Sequence, residues 1–189
     1  MKRSLPLLML GVFTSIILAA GSGSTTHAMQ NMRPHGYMAT PAAPFDARFI
    51  DSMIQHHQGA IDMAKRAQAQ AQHNKIKTLA SSIITSQQNE ITSLRNWRHQ
   101  WYPHLAPTSG MHMPMGDMMI SHDMSKPFDL RFLNAMISHH QGAVDMAREA
   151  QTTATHREIL NLACSIITGQ AREINDMKQW KKQWYGSTS

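Results

Sequence analysis

The chain has 189 residues, enough for one domain with a substantial core, and a formal net charge of +6 at neutral pH. Its sixteen methionines and twelve histidines accompany a single cysteine, which excludes a disulfide framework. Lysine and arginine are scattered among acidic residues rather than massed together, so nucleic acid is not an expected partner.

Residues 1–28 have the pattern of a signal peptide. Lys2 and Arg3 precede an apolar run from Leu5 to Ala20, and small residues follow before Ala28. The run is short for a membrane span, so we expect cleavage, with an uncleaved anchor as the alternative. Cleavage would remove two positive charges and lower the net charge from +6 to +4. We predict a periplasmic or secreted protein with no stable membrane span after processing.

Two copies of one unit follow a short tail at residues 29–43. Residues 44–103 align with residues 127–186 at an offset of 83 without a gap, and 33 of the 60 aligned pairs are identical. Each unit opens with Pro-Phe-Asp, which predicts an aspartate N-cap at Asp46 and Asp129 with a hydrophobic staple. Apolar residues then recur at helical spacing over about 46–72 and about 75–101, and at the matching positions of the second unit.

Each unit therefore predicts a hairpin of two amphipathic helices, each about 40 Å long. Because one hairpin alone exposes its apolar face, two hairpins are expected to dock with an approximate internal two-fold axis. The predicted fold is all-α, a ferritin-like four-helix bundle of two repeated helical hairpins at 44–103 and 127–189, joined by a crossover at 104–126. Cys164 aligns with Ser81, and we expect it to be a small core residue.

A paired-histidine motif lies in the first helix of each hairpin. It reads MIQHHQGAIDMA at 53–64 and MISHHQGAVDMA at 136–147. On a helix its methionines and histidines lie on or beside the inward face. The candidate metal ligands are Met53, His56, His57, Met63, Met136, His139, His140 and Met146.

The same motif carries a glycine in mid-helix, Gly59 or Gly142, which costs about 1 kcal/mol relative to alanine. Either a backbone or ligand that approaches closely or tight helix packing would explain it.

A glutamate in the second helix of each hairpin is the expected partner of these histidines. The register of an antiparallel hairpin places Glu90 level with His56, and Glu173 bears the same relation to His139. A carboxylate that holds a histidine is a common arrangement around metal ions. At imidazoles with the ordinary pKa of about 6.5, protons would compete with the metal ion for the ring nitrogens. The alternative is a plain bundle core in which methionine fills gaps and the glutamates satisfy the histidines.

The crossover is rich in methionine and has no helical period. Residues 111–124, MHMPMGDMMISHDM, hold six methionines and two histidines. Thioether sulfur is a soft ligand suited to Cu(I) and Ag(I), it has no proton to lose, and it cannot form a disulfide outside the cytosol. Imidazole adds affinity for Cu(II). A methionine-rich surface that binds a partner is the alternative. The further candidate ligands are Met111, His112, Met113, Met115, Met118, Met119, His122 and Met124 in the crossover and Met29, Met32, His35 and Met38 in the tail.

The motifs FIDSMIQHHQGAIDMA and FLNAMISHHQGAVDMA, each followed by IIT-Q--EI and a late tryptophan, resemble domain of unknown function family 305, a ferritin-like group of exported helical proteins. The resemblance covers residues 44–186. Together with the methionine-rich loops it implies a four-helix bundle that binds Cu(I), Cu(II) and Ag(I) and protects against copper. Its matching positions are the eight motif residues given above, while the crossover matches only in composition. The partners would be metal ions and a copper exporter or another copper protein.

Two other classes of function stay open. A ferritin-like di-metal oxidase would use Glu-x-x-His on two helices, and the chain contains none, although Glu90, Glu173, His56 and His139 form a partial imitation. A metal-free helical interaction module is the other possibility. No nucleophile motif or phosphate loop suggests other catalysis, so we predict that the protein is not an enzyme.

Overall fold

The computed structural model describes residues 42–111 and 119–186, so the predicted signal peptide and most of the tail lie outside the described residues. Four helices make up the described chain: α1 (Phe45–Gln70), α2 (Asn74–Trp101), α3 (Phe128–Thr153) and α4 (Arg157–Tyr185). Strands are absent from these residues. The prediction of an all-α bundle of two repeated hairpins is confirmed. None of the four helices in the described part of the chain is long and apolar enough to cross a membrane.

Proline and short turns set the helix ends. Pro44 and Pro127 precede α1 and α3, where a missing N–H does no harm because the first helical turn lacks acceptors. Ala71 and Ala154 end α1 and α3 with extended backbone angles. Three residues connect α1 to α2, and three connect α3 to α4. These tight turns make α1 and α2, and likewise α3 and α4, antiparallel neighbours.

The core lies along the contact between α1 and α3, which is the main contact between the two hairpins. Two buried apolar clusters occupy opposite ends of it. One contains Phe49 and Leu94, and the other contains Phe132 and Ile76, and each draws on both hairpins. Cys164 is exposed on α4, so its prediction as a core residue is wrong. Ala163 and Ile166 take the inward positions, and the helical rotation between them turns Cys164 outward.

Asp46 and Asp129 are buried and join the two hairpins. Asp46 accepts backbone hydrogen bonds from Thr155 (3.1 Å) and His156 (2.9 Å), and its Oδ2 lies 2.5 Å from His156 Nδ1. Asp129 binds the α1–α2 turn in the same way, with His73 N at 2.9 Å and His73 Nδ1 at 2.7 Å. The predicted N-cap role is therefore wrong, because each carboxylate satisfies N–H groups at the start of the opposite hairpin's second helix. We call these two contacts the aspartate clamps.

An indole ring covers each clamp. Trp101 stacks on His156 and Trp184 stacks on His73, both with ring centroids 3.7 Å apart. Burial raises the pKa of Asp46, but the hydrogen bonds from Thr155 and His156 outweigh burial and lower the pKa below the usual 3.8. The carboxylate therefore stays ionised in the folded state, which strengthens its hydrogen bonds.

We expect Asp46→Asn to lower the free energy of unfolding by about 1.5–3 kcal/mol, because charge-assisted hydrogen bonds are replaced by weaker ones in a buried place. Asp62→Asn is the matched control, since Asp62 is an exposed residue of the same helix, and it should change stability by less than about 0.5 kcal/mol. Urea denaturation followed by circular dichroism measures both. Equal stability of the two variants would contradict the clamp.

Candidate metal centre

Four buried histidines form a layer in the middle of the contact between α1 and α3. His56, His57, His139 and His140 are each at most 2% exposed. The ring centroids of His56 and His139, which come from different hairpins, are 3.8 Å apart. The prediction that the motif faces inward agrees with this placement. We call these four residues the histidine layer.

Glutamates flank the layer on its outer sides. His57 Nε2 lies 2.6 Å from Glu90 Oε2, and His140 Nε2 lies 2.7 Å from Glu173 Oε2. The expectation that Glu90 faces His56 and Glu173 faces His139 is wrong by one residue. Hairpin register sets the height of a residue, whereas the rotation of the helix sets its direction, and that rotation turns His57 toward α2 and His56 toward α3.

Several ring nitrogens of the layer have no hydrogen-bond partner. Nδ1 of His56, His57 and His140 and both nitrogens of His139 are buried and unpaired. The contact of His57 with Glu90 has the distance of a hydrogen bond but not its angle. Each buried polar atom without a partner costs about 1–3 kcal/mol. The histidine layer is thus costly in the protein alone, and its lone pairs are available to a ligand.

Burial keeps the inner two imidazoles neutral. Burial, followed by the nearby His139, lowers the pKa of His56 to about 2. Burial, followed by the nearby His140, lowers the pKa of His139 to about 3. For these two residues the expected ordinary pKa of about 6.5 is therefore wrong. A neutral imidazole is the form that binds metal ions.

The mid-helix glycine makes room for a histidine of the other hairpin. A Cβ atom on Gly142 would lie 3.2 Å from His56 Nε2, closer than an ordinary contact. The close approach expected at this position is therefore made by an imidazole rather than by a backbone. His56 can reach α3 because residue 142 has no side chain.

The motif methionines are divided between the two ends of the layer. Met53 and Met146 belong to one apolar cluster and Met63 and Met136 to the other, and all four are at most 3% exposed. Each end thus holds one motif methionine from each hairpin, and the cluster with Met63 and Met136 also contains the fully buried Met177 of α4. Within the described residues no three His, Cys, Asp or Glu side chains converge on one point. A metal ion held here would therefore need thioether ligands or a rotation of the imidazoles.

Only part of the predicted crossover site lies within the described residues. Met111 is half-buried, Met119 is 65% exposed and Met124 is 80% exposed, and His122 is exposed as well. Ile120, which follows Met119, is fully buried. His112, Met113, Met115 and Met118 lie outside the described residues, as do Met29, Met32, His35 and Met38 of the tail.

A polar network that holds the start of the crossover went unpredicted. Asp51 pairs with Arg98 (2.9 Å) and accepts a hydrogen bond from the Thr108 N–H (2.8 Å). The second repeat has Asn134 and Lys181 at the matching positions. The loss of the carboxylate in one repeat, together with the change from arginine to lysine, is a signal that could have revealed the network.

Four helices around a buried histidine layer define a helical-bundle protein with a candidate metal centre. The chain belongs to the family named Domain of unknown function (DUF305), whose sequence profile matches residues 46–181. The family resemblance seen in the motifs is thereby confirmed.

Three relatives illustrate the similarity. CopM in its Cu(I)-bound form is 39% identical over 75% of this chain and 98% of that chain, with a TM-score of 0.64. CopM has also been solved in Ag-bound, Cu(II)-bound and apo forms. A DUF305 protein from Streptomyces coelicolor is 25% identical over 74% of this chain and 93% of that chain, with a TM-score of 0.65. An uncharacterised protein of Acanthamoeba polyphaga mimivirus is 41% identical over 51 residues, which span 27% of this chain and 34% of that protein.

We expect Gly142→Ala to stabilise the bundle less than Gly169→Ala, a control with no atom within 4 Å of an added Cβ. Gly169→Ala should raise the free energy of unfolding by about 0.5–1 kcal/mol through helix propensity. The same gain at residue 142 should be offset because the buried His56 ring must move. Thermal unfolding of both variants measures the difference. Equal stabilisation would show that His56 does not press against Gly142.

The pKa values of the histidine layer predict that acid destabilises the metal-free protein. Below the unfolded value of 6.5 the unfolded chain takes up protons, whereas folded His56 and His139 stay neutral until the pH approaches about 2 and about 3. Above pH 6.5 the protonation of these two histidines does not change the free energy of unfolding. Below pH 6.5 it lowers the free energy of unfolding by up to about 1.4 kcal/mol per histidine and pH unit.

Urea midpoints measured between pH 7 and pH 4.5 test this dependence. The His56→Gln/His139→Gln variant should lose most of it, and the exposed pair His99→Gln/His104→Gln should retain it. If the three proteins shared one pH profile, the inner histidines would not be neutral through burial.

Proposed function

We propose that this protein is an exported copper-binding protein that binds Cu(I), accepts Ag(I) as a surrogate and Cu(II) through its imidazoles, and serves copper tolerance. The observation that carries the proposal is the histidine layer, with its buried, unpaired ring nitrogens. The similarity to CopM, which has been solved with copper and with silver, supports the same reading. The DUF305 protein from Streptomyces coelicolor is described as secreted, which agrees with the predicted signal peptide.

The chemistry of the layer suits a soft cation. Neutral imidazole and thioether groups bind Cu(I) and Ag(I) without having to lose a proton at neutral pH. Glu90 and Glu173 lie against the outer imidazoles and are only about one quarter exposed (25% and 24%). Their negative charge would balance a buried cation, and each holds one ring in place.

The proposed ligands are the motif residues at the layer and its two ends: Met53, His56, His57, Met63, Met136, His139, His140 and Met146. The crossover and tail methionines and histidines are proposed as additional ligands on the basis of their composition. Bound copper would pass to a copper exporter or another copper protein. We propose binding rather than catalysis as the role of the site.

The two other functions have less support. A di-metal oxidase needs carboxylates that bridge two ions, whereas Glu90 and Glu173 each contact a different histidine on the outer sides of the layer. A metal-free module would leave the cost of the unpaired nitrogens unexplained, because a hydrocarbon core of the same shape avoids it.

Anaerobic Cu(I) titration against a competing chelator tests the proposal. We expect the His56→Gln/His57→Gln variant to stay helical and to bind fewer Cu(I) ions than the unaltered protein, and His139→Gln/His140→Gln to behave likewise. The control is His99→Gln/His104→Gln, which changes two exposed histidines and should keep the full metal count.

If these variants were destabilised but kept the full copper count, the paired histidines would be core residues and not metal ligands. Binding of iron with oxidase activity would favour the enzyme, and absence of any metal binding would favour the interaction module.

A further inference from the structure

We propose that Met111 is a third thioether ligand at the end of the histidine layer that contains Met53 and Met146, and that Ser52 and Gly110 position it there. The inference rests on the proposed copper binding. It adds a residue of the crossover to this end, whereas the motif residues are repeated at both ends.

The backbone of residues 110 and 111 is fixed against α1. The Met111 N–H donates a hydrogen bond of 2.6 Å to the hydroxyl of Ser52, a buried residue immediately before Met53. Gly110 has φ +76°, and a Cβ atom there would lie 2.6 Å from Ser52 Oγ. Glycine is therefore required twice, by the left-handed backbone and by the close approach to α1.

The preceding residues are tied to the same helix. Arg98 pairs with Asp51 and donates hydrogen bonds to the carbonyl groups of Leu105 (3.0 Å) and Ala106 (2.9 Å). Asp51 also accepts the N–H of Thr108 (2.8 Å). The chain thus reaches Met111 along a fixed path.

The Met111 side chain lies at the boundary between solvent and the apolar core. It is half-buried and packs against the apolar cluster that includes Met53 and Met146. A third sulfur beside two buried thioethers would increase the preference of this end for Cu(I) and Ag(I). Methionine has three flexible bonds, so its sulfur can approach an ion without movement of the backbone.

Among the described residues, the crossover supplies no sulfur to the opposite end. The cluster there contains the buried methionines Met63, Met136 and Met177, and the crossover contributes the fully buried Ile120 to it. The position equivalent to Ser52 is Ala135, which offers no hydroxyl to a loop. Isoleucine has no donor atom, so the described residues of the crossover supply hydrocarbon at one end and a thioether at the other.

Cu(I) titration under chelator competition, combined with X-ray absorption to count sulfur ligands, tests this inference on the full chain. Met111→Leu keeps the apolar packing and should weaken one Cu(I) site by at least about tenfold, with a lower mean sulfur count. Ile54→Leu is the control, because Ile54 packs against the same apolar cluster and has no donor atom, and it should leave that site unchanged.

Two further variants separate positioning from packing. Ser52→Ala should weaken the same site while Ser52→Thr, which keeps the hydroxyl, restores it. Ile120→Met, a nearly volume-conserving change, should add a thioether from the crossover to the opposite end and raise the mean sulfur count. If the unaltered protein bound no Cu(I), the proposed function would fail and this inference with it. If it bound Cu(I) and Met111→Leu matched Ile54→Leu, only the inference about Met111 would be wrong.

Discussion

The aspartate clamps are the constraint on which the rest of the structure depends. Each hairpin could form alone, but its position against the other is set where Asp46 meets His156 and Asp129 meets His73. The clamps lie at opposite ends of the α1–α3 contact, so a shift of one helix along the other would break both at once. With both ends fixed, the midpoints of α1 and α3 must meet, and this brings His56 against His139. Because the clamp carboxylates are buried and the turn N–H groups have no other acceptor, a shifted register would leave several polar groups unpaired.

The histidine layer shows that the centre of this bundle is not optimised for stability. Four imidazoles occupy the place where aliphatic side chains would pack without unpaired nitrogens, and Gly142 gives up helix propensity to admit one of them. The apolar clusters at either end tolerate this cost, because each is closed by residues from both hairpins. The polar centre is therefore held in shape by its ends. For the proposed copper binding, such an arrangement would keep the backbone around the imidazoles and thioethers in place, so that only side-chain rotations remain to be ordered.

Local sequence patterns allowed most of the fold to be predicted. They did not allow the side-chain contacts between helices to be predicted. The helices and their inward faces follow from the period of the apolar residues, and the repeat implies two equivalent hairpins. The partner of Glu90 depends on how far α1 is rotated toward α2, a quantity that register alone does not contain. Asp46 has the sequence signature of an N-cap. Its carboxylate instead accepts hydrogen bonds from the other hairpin, because docking buries it beside the turn at His156. Methionine-rich composition indicated a soft metal, but it could not separate Met111, which is fixed on α1, from the exposed Met124.

The differences between the two repeats are as informative as their identities. Residues of the histidine layer and of the clamps are the same in both copies, since each copy must supply half of a two-fold arrangement. Asp51, Ser52 and Arg98 are replaced in the second copy by Asn134, Ala135 and Lys181. All three hold the first part of the crossover, a segment that exists once and so has no two-fold mate. The residues shared by both copies therefore build the centre of the bundle. The residues that differ hold the start of the crossover, and with it Met111, at one end of that centre.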